Sequence, residues 1–79
     1  MTFDYKNYCA IKHFLFMNPG HEPGNIVVRV YDQKQIEGQI VDLKVERAGD
    51  KFVTCVCVFD SETVIVQHEY LRFIRKGIL

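Results

Sequence analysis

The chain has 79 residues, 48% of them hydrophobic and 25% charged, which is the composition of one globular domain. Lys plus Arg and Asp plus Glu number 10 each, for a formal net charge of +0, which excludes a protein that coats phosphate backbones through excess positive charge. No apolar run approaches the roughly 20 residues of a membrane-spanning helix, and the start, MTFDYKNY, has neither the basic nor the apolar part of a signal peptide.

Residues 4–17, DYKNYCAIKHFLFM, place Tyr5, Tyr8, Cys9, Ile11 or Lys12, Leu15 and Phe16 near helical spacing. The pattern predicts a helix over about residues 3–17, with Thr2 or Asp4 as its cap. A strand is the rival reading, because Cys9, Ile11, His13, Leu15 and Met17 also alternate. NPGHEPG at 18–24 ends either element, since two prolines and two glycines in seven residues support neither a helix nor a paired strand.

From Asn25 the reading is β. Ile26, Val28 and Val30 alternate with Val27, Arg29 and Tyr31. Residues 31–34 form a turn, and a long second strand runs from about Gln35 to Arg47. Within it, Ile36 and Ile40 share one parity, whereas Val41, Leu43 and Val45 share the other. Gly38 weakens a strand and permits a bend, so the glycine and the parity switch together predict a strand that bends near Gly38. After a turn at Ala48-Gly49-Asp50, FVTCVCVF at 52–59 is apolar on both faces apart from Thr54, as in a strand covered on both sides. Residues 63–66 form a short strand, Gln67-His68-Glu69 a tight break, and residues 70–75 the last strand. Five short strands over residues 25–75 predict a small, strongly bent antiparallel barrel, mainly β in class, behind one helix.

The odd cysteine count (Cys9, Cys55, Cys57) fits a reducing, cytoplasmic setting. Cys55 and Cys57 lie two apart in a strand beside Val53 and Phe59, where thiols serve as small core hydrophobes. Zinc on Cys9, Cys55, Cys57 and a histidine (His13, His21 or His68) needs Cys pairs in loops at a different spacing. The sequence therefore implies neither metal nor cofactor, and no nucleophile–base constellation or phosphate loop marks an enzyme. TVIV and YLRFIR, in the last two strands, contain no proline, and TVIV carries no charge, so both are edges able to pair with another chain. If each copy offers one edge and receives the other, the contact is head-to-tail and can close into a ring.

Two patches carry a family resemblance. VVRVYDQKQIEGQIVDL at 27–43 resembles the first motif of Sm-like proteins: alternating apolar residues, a turn opened by Asp32, and Gly38 six residues later. VIVQHEYLRFI at 64–74 is similar to the segment of the Hfq branch in which a Lys-His pair joins the last two strands; here the pair is Gln67-His68. The resemblance, to the Sm, LSm and Hfq family, covers residues 25–75. It implies a helix followed by a bent five-stranded sheet, a homo-oligomeric ring closed through the edges of the last two strands, and single-stranded RNA as ligand. By that resemblance Gln67 and His68 would contact a base or phosphate; Lys44 and Arg72 are the further candidate RNA-binding residues, Arg72 as a phosphate contact in a basic stripe on the last strand. Arg75 and Lys76 extend the basic stripe, with a nearby Glu69 to balance it. Where the family carries an Asn or aromatic base-binding loop, this chain has Lys44, Val45 and Glu46. Tyr5, Tyr8, Phe14 and Phe16 offer a base-stacking group or, more simply, core. The alternative function is a non-enzymatic adaptor that binds a protein through the apolar strands and aromatic helix, such as a phage-encoded modulator of a host complex.

Overall fold

A computed structural model describes the backbone of residues 5–48 and 50–78 and the side chains of residues 8–46 and 53–78. Helix α1 spans Tyr5–Met17. Its proposed caps, Thr2 and Asp4, lie outside the described residues. Asn18 closes the helix: its backbone N–H and its side-chain amide both donate to the Phe14 carbonyl, at 2.8 and 3.0 Å. The face that meets the sheet is only partly the one the spacing favours: Ile11 and Leu15 belong to both, and Phe14 replaces Tyr8, Cys9 and Phe16. Phe14 is buried, with Ile11 and Leu15 packed beside it, whereas Tyr8, Cys9 and Phe16 face solvent. These three inward residues follow the i, i+3, i+4 rule; the alternative stripe had equal spacing but no partner surface.

Five strands follow: β1 (Ile26–Arg29), β2 (Glu37–Ala48), β3 (Asp50–Phe59), β4 (Glu62–Gln67) and β5 (Leu71–Arg75). They form one antiparallel sheet in the order β4-β3-β2-β1-β5. The sheet is open, because β4 and β5 occupy its two edges, and the expected closed barrel is corrected accordingly. The sheet is nevertheless curled. Five flat strands would hold their edges about 19 Å apart. Only His68–Tyr70 separate the end of β4 from the start of β5, a path that reaches at most about 15 Å.

The parity switch in β2 is a bulge. Ile40 pairs with Cys57 and Asp42 with Val56, leaving Val41 unopposed. An extra residue reverses the alternation beyond it, so Ile40 and Leu43 both reach the core. Gly38 lies two residues before that shift and has a separate task. It is paired with Phe59, and a Cβ there would fall inside the Phe59 ring. Ile40, Cys55, Cys57, Phe59, Val66 and Leu71 form the centre of the core. Burial pushes the Cys55 thiol up to about 12, with Cys57 adding to the effect, and pushes Cys57 to about 11, against the pull of Arg29. Both are therefore neutral packing groups, and Cys9 sits apart on the exposed side of α1. Among the described residues no helix is long and apolar enough to cross a membrane.

Candidate functional site

The connection from β4 to β5 is a single 3-10 turn, His68–Tyr70. Gln67 precedes it, and its side chain makes no capping hydrogen bond. The His68 ring turns inward. It stands edge-on to Phe14 at 4.9 Å between centroids and to His21 at 5.8 Å, and His21 is edge-on to Phe14 at 5.8 Å. The His21 Nε2 lies 3.0 Å from the His68 carbonyl. A carbonyl only accepts, so this contact fixes the proton on Nε2. Three rings thus tie α1, the 19–21 turn and the β4–β5 turn together. Burial holds the His21 pKa below its ordinary value; the hydrogen bond to the His68 carbonyl opposes this, and the nearby His68 charge assists it.

Beside this cluster a pocket of about 330 Å³ opens between α1 and the sheet. His13, Met17 and Asn18 form its helix side, Val45 and Val53 its sheet side, and His68 its end. Its apolar walls and imidazole edges suit a planar ligand that carries hydrogen-bonding groups.

The residues singled out from the sequence do not converge here. Gln67 and His68 are adjacent in the chain but face opposite sides of the sheet. Lys44 and Gln67 lie across the face away from the core, each in register with Thr54, so roughly 10 Å separates their strands. Thr54 is 4% exposed, and its hydroxyl has no hydrogen-bond partner among the described residues. Arg72 lies on β5, at the other edge, where its guanidinium donates to Gln35 Oε1 at 2.6 Å. The basic stripe is broken up as well. Arg75 pairs with Glu37 at 2.7 Å, not with Glu69. Glu37 is held below the usual carboxylate range by the Arg75 hydrogen bond.

Asp32 opens its turn as expected. Its carboxylate accepts from the N–H groups of Lys34 and Ile36, at 3.0 and 3.1 Å, and lies 3.7 Å from Arg29. The guanidinium of Arg29 in turn covers the Phe59 ring at 4.2 Å. Sequence reasoning missed His13 as a pocket residue. It also missed Tyr31 and Tyr70, whose exposed rings meet edge-on at 6.1 Å. No local signal marks that pair, because a hydrogen bond from the Val30 N–H to the Tyr70 carbonyl brings together two turns far apart in the chain. Among the described residues no group of three or more His, Cys, Asp or Glu side chains is placed to hold a metal ion. Comparison of the chain with known protein families, with curated proteins and with solved structures returned no match.

Proposed function

We propose that this chain is an Sm-like protein that assembles head-to-tail into a ring and binds single-stranded RNA, with one contact at the pocket between α1 and His68. The observation that carries the reading is the β4–β5 corner. Both sheet edges arrive there unpaired, and the turn that joins them delivers His68 to the mouth of a pocket. The edges are also complementary. β4 is preceded by Asp60 and begins at Glu62, whereas β5 ends at Arg75 and is followed by Lys76. Ile65 on β4 and Phe73 on β5 are both substantially exposed. Pairing of β4 with β5 of the next copy would cover them and satisfy both rows of backbone groups.

In this reading a base enters the pocket against Val45 and Val53, and His13 and His68 meet its polar edges. Lys44, Gln67 and Arg72 are exposed and act as separate contacts along the strand of RNA rather than as one site. Fluorescence anisotropy with a labelled oligouridine tests the pocket. His13→Ala/His68→Ala should weaken binding at least several-fold while the far-ultraviolet circular dichroism is retained; unchanged affinity removes the pocket from the reading.

A protein-binding adaptor is the second reading. It is favoured by Phe16, which is 83% exposed on the outer side of α1. Phe16→Ser leaves RNA affinity unchanged if RNA is the ligand. An absence of RNA binding together with capture of a protein that this variant loses would favour the adaptor.

A further inference from the structure

The corner has a second side. Tyr31 and Tyr70 are 62% and 45% exposed, although each could bury a large apolar ring. Their rings are fixed at a mutual angle of 69°. Neither belongs to the core cluster, so folding gains little from leaving two such surfaces in water.

The turn that presents Tyr31 is rigid. The Asp32 N–H donates to the Arg29 carbonyl and the Gln35 N–H to the Asp32 carbonyl, at 3.0 and 3.2 Å. The Asp32 side chain holds two further N–H groups. Gln35, at the far end, adopts a positive φ of 54° and receives the Arg72 guanidinium. Both ends of the 31–35 turn are therefore fastened to residues 70–72, one by the tyrosine pair and the other by Gln35 and Arg72. Lys34 is exposed between them.

The charges on this side are not balanced. Arg29 is opposed by Asp32, and Arg75 by Glu37. Among the described residues Arg72 has no carboxylate partner; an uncharged amide positions it and leaves its charge free. The one carboxylate in the turn, Asp32, is occupied by backbone N–H groups and Arg29. Glu69 is the acidic neighbour on the adjoining turn.

We infer that Tyr31, Tyr70 and Arg72, with Lys34, form a second contact for single-stranded RNA, separate from the His68 pocket: a base stacks on the tyrosine pair, and a neighbouring phosphate sits on Arg72. This inference rests on the RNA-binding reading given above. Exposed tyrosine faces accept any base, because every base has a π-face. A guanidinium held in place by an amide loses little further freedom when it takes two phosphate oxygens. Free positive charge beside the rings selects a phosphate-bearing chain over an apolar protein surface.

The test uses the full chain and an oligouridine carrying 4-thiouridine, followed by anisotropy and by photo-crosslinking with peptide mapping. Tyr31→Ala/Tyr70→Ala is expected to weaken binding about ten-fold or more. Tyr31→Phe/Tyr70→Phe keeps the rings and should bind as the wild type does, which separates stacking from misfolding. Arg72→Gln should lower the slope of log affinity against log salt by about one. Glu69→Gln should tighten binding. Crosslinks should map to Tyr31 or Tyr70, and they should persist when His13 and His68 are replaced by alanine. If the wild type binds RNA while the alanine pair binds equally well and every crosslink maps to the pocket, this surface is overturned and RNA binding stands. If the wild type binds no RNA at all, the underlying reading falls and the surface falls with it.

Discussion

Phe59 and His68 each present a flat ring to their neighbours, yet one ring is sealed and the other opens on solvent. Phe59 is 2% exposed, with Gly38 beneath its face and Arg29 against it. His68 is half-buried, edge-on to Phe14 and His21, and bounds a pocket. The first arrangement leaves no room for another atom. The second leaves room, a hydrogen-bonding edge and two unpaired sheet edges nearby. The middle of the sheet is closed, whereas the β4–β5 corner presents open surface.

If that contrast is right, the largest effects on stability belong to the middle. Phe59→Ala should cost about 3–5 kcal/mol in chemical denaturation, since it opens a cavity in the core and strips Arg29 of its ring. Gly38→Ala should cost about 1–3 kcal/mol, because the ring of Phe59 has nowhere to retreat. Adding Phe59→Leu to that variant should recover part of the loss. Full additivity of the two changes would show that Gly38 is needed for the path of the backbone and not for the ring.

Asp32→Ala should cost about 1–2 kcal/mol through two lost N–H partners and the charge left unpaired on partly buried Arg29. At the corner the expected effects are smaller and depend on pH. His21 has a lowered pKa in the folded chain, so the unfolded chain takes up the proton more readily. The stability that His21 contributes is present above the ordinary histidine range and is lost as pH falls through that range toward the lower folded value. His21→Gln should flatten the melting temperature against pH across that window; an unaltered profile would assign the dependence to other groups. Smallest of all is Glu37→Gln, which removes an ion pair in full contact with water and should leave the melting temperature nearly unchanged.

The same contrast explains what could be read from the sequence. The bulge was legible because a change of parity at Ile40 and Val41 has one geometric meaning when both flanks are buried. The packing role of Gly38 was not, since the ring of Phe59 that it accommodates lies across the β2–β3 ladder. On α1, alternation and helical spacing left several stripes open, and only the shape of the sheet selected Ile11, Phe14 and Leu15. The corner was legible in its residues but not in its arrangement. Gln67 and His68 marked the turn, yet a single 3-10 turn sends His68 toward α1 while Gln67 stays on the other face. Tyr31 and Tyr70 each sit in a turn, where an exposed tyrosine is unremarked, and become a feature only when the two turns meet.

The reading of the corner depends above all on whether its two edges are satisfied by copies of the same chain. Native mass spectrometry of the protein at micromolar concentration tests this directly. The account predicts one closed homo-oligomeric stoichiometry, which dissociates when a proline is placed on β4 at Ile65. A monomer at that concentration, with or without the proline, would contradict it.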